Sequence, residues 1–139
     1  VHSGWWHLFL NMFMLYMFGS YLTQFMGERK MLMVFLIGGI AGSCLFFLVA
    51  LTPLGDIGVR VVGASGGVFA LGGALAVLTP RARVLLFYFV PMPLWAAILV
   101  MFALSFSAGI AWEAHLGGLV FGLAAGYYFK RRLRQNNWW

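Results

Sequence analysis

The sequence predicts an all-α polytopic membrane protein, folded as a bundle of transmembrane helices. Of its 139 residues, 63% are hydrophobic and only 9% are charged, whereas a soluble domain carries about 25% charged residues. The few charged residues divide the chain into uncharged stretches, and a helix needs roughly 20 apolar residues to cross a bilayer. We therefore expect five helical spans, in the stretches 5–26, 31–55, 61–79, 84–112 and 114–129.

The fourth and fifth stretches differ from simple spans. The fourth is overlong and holds Pro91 and Pro93, so we expect its first part to be a loop or a broken helix. The fifth is short, and Lys130 can extend it by snorkelling. No repeat or linker divides the chain, so we expect one domain over residues 1–139, with residues 130–139 as a basic tail.

The positive charges follow alternate spans. The net charge is +6 with nine Lys and Arg residues, and eight of these cations come after the first, third and fifth spans, which puts them on one side of the membrane. Short basic loops stay in the cytoplasm. We therefore expect a multi-pass protein of a bacterial or archaeal plasma membrane with a cytoplasmic C-terminus. Its basic tail would meet anionic lipid headgroups rather than nucleic acid.

The scarce polar residues gather on the opposite, outer side. His2, His7 and Asn11 lie at the start of the first span, Ser65 at the start of the third and His115 at the start of the fifth. His7 and Asn11 are four residues apart, so they share a helix face. The topology alone therefore brings these groups to one depth in the membrane.

Small residues offer a reason for two of the spans to meet. On the fifth span, His115 shares a face with Gly118, Gly122 and Gly126, a spacing that lets transmembrane backbones approach closely. The third span has small residues of its own at Gly66, Gly72, Gly73 and Ala76. If these faces meet, Ser65 and His115 come within reach of each other.

A serine beside a histidine suggests nucleophilic catalysis, in which the histidine takes the hydroxyl proton and returns it to the leaving group. Glu28 is on the cytoplasmic side and Glu113 points to a different face from His115, while Asp56 in an outer loop stays possible as a third member. The simplest interpretation is a Ser–His dyad without an acid. His7, Asn11 and backbone N–H groups near Ser65 could then stabilise an oxyanion.

Each feature alone has a plainer explanation. A serine in a transmembrane helix usually bonds to its own backbone, a His-x-x-x-Asn pair can join two helices, and glycine spacing alone means packing. A metal site at His2, His7 and His115 is a rival, although no carboxylate or thiol completes it. A transporter is another, but the chain shows no inverted repeat or buried charge pathway.

These motifs resemble the rhomboid intramembrane serine proteases, and the resemblance covers essentially the whole chain. It is carried by His2-x4-His7-x3-Asn11, Gly63-Ala64-Ser65-Gly66 and Ala114-His115-Leu116-Gly117-Gly118. The resemblance implies that Ser65 is the nucleophile and His115 the general base. It also implies His7 and Asn11 as oxyanion-hole residues, with His2 and Gly63 in the same pocket, and no metal or other cofactor.

The implied reaction is hydrolysis of a peptide bond in or beside a transmembrane segment of a membrane-protein substrate. The family core has six spans, so we expect the first span and its loop to be missing from this chain. Phe69 stands where many members have a tyrosine under the catalytic histidine, and we expect Gly66, Phe69, Gly118 and Gly122 to pack the dyad. An inactive relative that binds transmembrane clients without cutting them is the main alternative, and the sequence does not determine the oligomeric state.

Overall fold

The arrangement of the chain comes from a computed structural model that describes residues 2–53, 63–86, 90–107 and 112–135. Within those ranges the protein has four helices and two short strands, and the expected class, a helical bundle, is right. The number of membrane crossings and the six-helix core stay predictions. The elements are α1 (His2–Ala50), α2 (Gly63–Leu78), β1 (Arg83–Leu86), β2 (Val90–Pro93), α3 (Leu94–Ser107) and α4 (Trp112–Gln135).

Helix α1 consists of two arms joined at Gly27. Gly27 has φ 83° and ψ 164°, a combination that is essentially restricted to glycine. The amino-terminal arm (2–26) covers the first expected span, and the carboxy-terminal arm (28–50) covers the second as far as Ala50. Helices α2 and α3 lie within the third and fourth stretches, while α4 covers the fifth and extends beyond it at both ends. Among the described residues, the helical stretch Leu8–Ala50 is the one that is long and apolar enough to cross a membrane, and the apolar stretches Ala64–Leu78 and Leu94–Ala103 are shorter.

Helix α2 is the centre of the bundle. Ala70, Leu71 and Ala74 have no exposed surface at all, because both arms of α1, together with α3 and α4, pack around this helix. Small residues make this possible: a side chain on Gly38 would collide with Ala70, and one on Gly67 would lie 2.5 Å from the carbonyl oxygen of Phe35. Helix α2 is thus in place to hold a polar group away from both lipid and water.

The start of the fourth stretch corrects an expectation. Instead of a loop or broken helix, β1 and β2 form an antiparallel hairpin in which Arg83 pairs with Pro93 and Leu85 with Pro91. Residues two apart in a strand direct their backbone N–H groups to the same side. Pro91 and Pro93 therefore fit this strand if that side is the one away from the partner strand, where no N–H donor is needed. The Leu94 N–H donates to the Ala82 carbonyl oxygen at 2.9 Å, which joins the hairpin to the start of α3.

Two lysines join the helices at the end of the bundle remote from Ser65. The Lys130 ammonium donates to the carbonyl oxygen of Val77 at 3.1 Å and so satisfies a carbonyl in the last turn of α2. The Lys30 ammonium lies 5.7 Å from the centroid of the Phe129 ring. The expected basic tail therefore begins as a continuation of α4, which is helical to Gln135; residues 136–139 lie outside the described residues.

Candidate active site

Ser65 and His115 meet in the interior of the bundle. Ser65 lies in the first turn of α2 and His115 in the first turn of α4, and only 2% and 3% of their surfaces are exposed. The His115 Nε2 and the Ser65 Oγ are 2.8 Å apart. In the tautomer that carries its proton on Nδ1, the histidine accepts this hydrogen bond from the hydroxyl, which is the arrangement that a general base needs.

The imidazole of His115 lies against the ring of Phe69, which is one helical turn beyond Ser65 on α2. The two ring centroids are 4.4 Å apart and the ring planes differ by 24°. Phe69 is itself 95% buried, since 5% of its surface is exposed. The same helix therefore supplies the hydroxyl group that contacts one edge of the imidazole and the aromatic face that supports the ring.

The close approach of α2 and α4 depends on glycine. A side chain on Gly118 would collide with the carbonyl oxygen of Gly66, one on Gly122 would collide with that of Ala70, and one on Gly126 would lie 2.7 Å from that of Ala74. Both sets of contacts advance by four residues, so the helices run parallel with their backbones in contact. This contact continues directly from the turns that carry Ser65 and His115.

The small residues of α2 that contact α4 are only in part the ones expected from the sequence. Gly66 and Gly73 do face α4, but the other positions in contact are Ala70 and Ala74. Gly72 faces elsewhere: a side chain at this position would lie 3.0 Å from the Phe18 ring of α1 and 3.3 Å from Ile98 of α3. At Gly72 the amino-terminal arm of α1 and helix α3 therefore both approach the central helix.

The carboxy-terminal arm of α1 supports the start of α4 from another direction. A side chain on Gly42 would collide with the carbonyl oxygen of Ala114, and one on Gly117 would lie 2.9 Å from the Cα of Gly42. The turn that holds His115 is therefore pressed between two backbones, which restricts where the imidazole can lie.

For the other residues that were expected at the site, the structure describes the backbone and only some of the side chains. Asn11 is half-buried on the amino-terminal arm of α1. His2 and His7 are helical, but their side chains lie outside the described residues, and Gly63 begins α2. Their assignment to an oxyanion hole, and the rival metal site at the three histidines, stay predictions.

Two residues of the site region have surroundings that the sequence did not predict. Glu113 is buried, with 5% of its surface exposed, in the first turn of α4, where a carboxylate is favoured by the helix dipole. Phe102 of α3 contacts the Phe69 ring edge to face, at a centroid distance of 6.2 Å and an angle of 81°. The spacing of Leu94, Ile98 and Phe102 could have indicated one buried face of α3. Asp56, the remaining candidate acid, lies outside the described residues.

The fold and the site define a class of protein: a helical membrane protein with a buried serine–histidine pair at the start of two parallel helices. The family model for the Rhomboid domain matches residues 1–132, and the chain belongs to the rhomboid family. No solved structure matches the chain significantly.

Several curated proteins are similar to the chain. Rhomboid protein 1, mitochondrial, of Saccharomyces cerevisiae is 35% identical over 96% of this chain and 41% of its own length. RHOMBOID-like protein 12, mitochondrial, of Arabidopsis thaliana is 31% identical over 81% of the chain and 39% of its length. Presenilin-associated rhomboid-like protein A, mitochondrial, of Danio rerio is 28% identical over 88% of the chain and 28% of its own length. The chain thus spans about two fifths or less of the length of these relatives.

The names of these relatives overturn one expectation. All of them are mitochondrial proteins by name, so the predicted location in a bacterial or archaeal plasma membrane, with a cytoplasmic C-terminus, is wrong. The error arose because charge asymmetry indicates which ends of the spans share a side, and it does not identify the membrane.

Proposed function

We propose that the protein is an intramembrane serine endopeptidase that cleaves transmembrane segments of membrane proteins. The observation that carries this proposal is the 2.8 Å contact between the His115 Nε2 and the Ser65 Oγ in a buried setting. Membership of the rhomboid family supports the same reaction, because members of this family act on membrane-protein substrates within the bilayer.

In the proposed mechanism, Ser65 is the nucleophile and His115 the general base. The Ser65 Oγ bonds to the carbonyl carbon of the scissile peptide while His115 takes the hydroxyl proton. His115 then protonates the leaving amine, the C–N bond breaks, and an ester on Ser65 remains. Water attacks this ester with its proton passing to His115, and transfer of that proton to the Ser65 oxygen releases the new carboxyl end and restores both groups.

The negative oxygen of each tetrahedral intermediate needs hydrogen-bond donors. We assign this role to Asn11 and His7 together with backbone N–H groups at the start of α2, near Gly63, and we assign His2 to the support of that pocket. Free N–H groups in the first turn of a helix attract negative charge. Removal of a single oxyanion-hole donor typically lowers kcat by about 100- to 1000-fold. We expect Asn11→Ala to lower kcat by a factor in this range.

Water must reach the pair for the ester to be hydrolysed. Ser65 precedes Val77 by twelve residues on α2, which corresponds to about 18 Å along the helix axis, and Val77 is the residue that Lys130 contacts. The pair therefore lies near the end of the bundle opposite Lys130. We propose that water enters from that end and that the protein resides in a mitochondrial membrane, as the names of its relatives suggest.

The second candidate function is binding of transmembrane clients without cleavage. One assay separates the two: the protein is reconstituted in liposomes with a panel of single-span reporter proteins that carry small residues in their transmembrane segments. A protease produces fragments whose new ends mass spectrometry can locate, and Ser65→Ala abolishes them. Ser20→Ala, which changes an exposed serine of α1, should leave cleavage unchanged. Reporters that co-purify uncut with the unmodified protein would favour the client-binding function.

A further inference from the structure

The first half of α3 is firmly attached to the rest of the bundle. Leu94 and Ile98 are buried, and Ile98 lies beside Gly72 of α2. The Leu94 N–H also donates to the carbonyl oxygen of Ala82. These contacts fix the start of the helix, whereas α3 as a whole packs less extensively on α2 and α4 than those two helices pack on each other.

One turn further along α3, Phe102 leads to the candidate active site. Its ring meets the Phe69 ring at 81° with 6.2 Å between centroids, and Phe69 is stacked on the imidazole of His115 at 4.4 Å. The imidazole is in turn 2.8 Å from the hydroxyl of Ser65. An unbroken series of contacts thus runs from α3 through two aromatic rings to the serine.

We propose that Phe102 is a positioning residue for His115 that acts through Phe69. The inference rests on the proposed catalytic function of the Ser65–His115 pair. A stacked ring can slide and turn over its partner at little cost, whereas a second ring packed edge to face against it favours one orientation. Phe102 therefore holds the ring of Phe69 parallel to the imidazole, and the imidazole stays in line with the Ser65 hydroxyl.

The alternative is that Phe102 only fills space between α3 and α2. Phe102→Leu keeps an apolar side chain at this position but removes the aromatic ring, whereas Phe102→Tyr keeps the ring. Trp95→Leu is a matched control because it removes an exposed aromatic side chain from the same helix. Ile98→Ala is the structural control, since it weakens the packing of α3 one turn away from the aromatic series.

The first measurement is the rate constant for fluorophosphonate labelling of the folded protein. Loss of one aromatic pair should slow labelling about two- to tenfold in Phe102→Leu, and Phe102→Tyr should restore the original rate. Trp95→Leu and Ile98→Ala should label at the original rate per folded molecule, although Ile98→Ala lowers the unfolding temperature. Equal rates for Phe102→Leu and Ile98→Ala would overturn the proposal.

A second measurement does not depend on activity. With ¹³C-labelled histidine, the Cε1–H signal of His115 is assigned by its loss in His115→Gln. Phe102→Leu should shift or broaden this signal because the stacked ring above the imidazole loses its fixed orientation, while Trp95→Leu should leave it in place. If the unmodified protein does not label, the proposed protease function fails, and this signal still tests the positioning of His115. An unchanged signal in Phe102→Leu would refute the positioning role.

Discussion

The carbonyl oxygen of Gly66 occupies the space that any side chain on Gly118 would need. The same relationship recurs at Gly122 with Ala70 and at Gly126 with Ala74, so α2 and α4 touch backbone to backbone over two further turns. Because Ser65 and His115 lie just before the first of these contacts, their separation of 2.8 Å depends on how closely the two helices approach.

Gly118→Ala should therefore harm both stability and reactivity. The new methyl group must push the helices apart, and such overpacking typically costs about 1–3 kcal/mol. A displacement of about 1 Å at a reacting pair can cost about 100-fold in rate, so labelling of Ser65 should nearly vanish. Reversible unfolding in mixed micelles and fluorophosphonate labelling measure the two effects.

Gly19→Ala is the matched control for that substitution. A methyl group on Gly19 would lie 3.5 Å from the sulfur of Met31, an ordinary contact, and alanine is the better helix former. The variant should be as stable as the unmodified protein and should label normally. A Gly118→Ala protein that behaved like Gly19→Ala would contradict the close approach of α2 and α4.

Gly27→Ala should destabilise the protein through backbone strain alone. A methyl group at Gly27 would meet nothing within 4 Å, but its φ of 83° is one that other residues rarely adopt. Residues held in such regions cost about 1–3 kcal/mol, and we expect a loss of this size in the free energy of unfolding. Unchanged stability would mean that the two arms of α1 are not joined by this sharp turn.

Phe69→Leu should slow the labelling of Ser65 because the imidazole of His115 loses its stacked partner, whereas Phe69→Tyr should keep the stack and most of the rate. Loss of this stacked pair should lower the labelling rate about two- to tenfold. Phe18→Leu is a suitable control, since Phe18 is also buried, with 1% of its surface exposed, but lies on the amino-terminal arm of α1 against Gly72, about two turns beyond Ser65 on α2. It should lower stability without changing the labelling rate of the folded protein.

Lys130→Met should destabilise the bundle at its other end. The hydrogen bond from the Lys130 ammonium to the carbonyl of Val77 is lost, and a bond with a charged partner contributes about 1.5–3 kcal/mol. Arg131→Met removes the same charge from an exposed position on α4 and should have a smaller effect. Thermal unfolding of both variants in the same detergent compares them directly, and equal losses would argue against a role for the hydrogen bond.

The sequence was most informative where a pattern has a single physical meaning. The Gly118-x-x-x-Gly122-x-x-x-Gly126 spacing predicted close helix packing, and these three glycines are the ones in backbone contact with α2. The other half of that contact was less predictable. Ala70 and Ala74 do not stand out among many small residues, and Gly72, which does, turned out to face α1 and α3.

Other features could not be read from the chain alone. Pro91 and Pro93 argued against regular structure, yet their spacing of two suits one strand of a hairpin. The orientation of Phe102 was ambiguous because a phenylalanine in a membrane helix can face lipid or the core. Only the packing of α3 on α2 shows that Phe102 faces the core. The burial of Glu113 depends in the same way on how α4 is turned within the bundle.

The central claim is that His115 activates Ser65, and the most direct test is to locate a fluorophosphonate adduct by mass spectrometry. The claim predicts one adduct on the peptide that contains Ser65 in the folded protein, and none in Ser65→Ala or His115→Ala. Ser20→Ala should label like the unmodified protein. A folded protein that forms no adduct, or one whose adduct persists in His115→Ala, would contradict the claim.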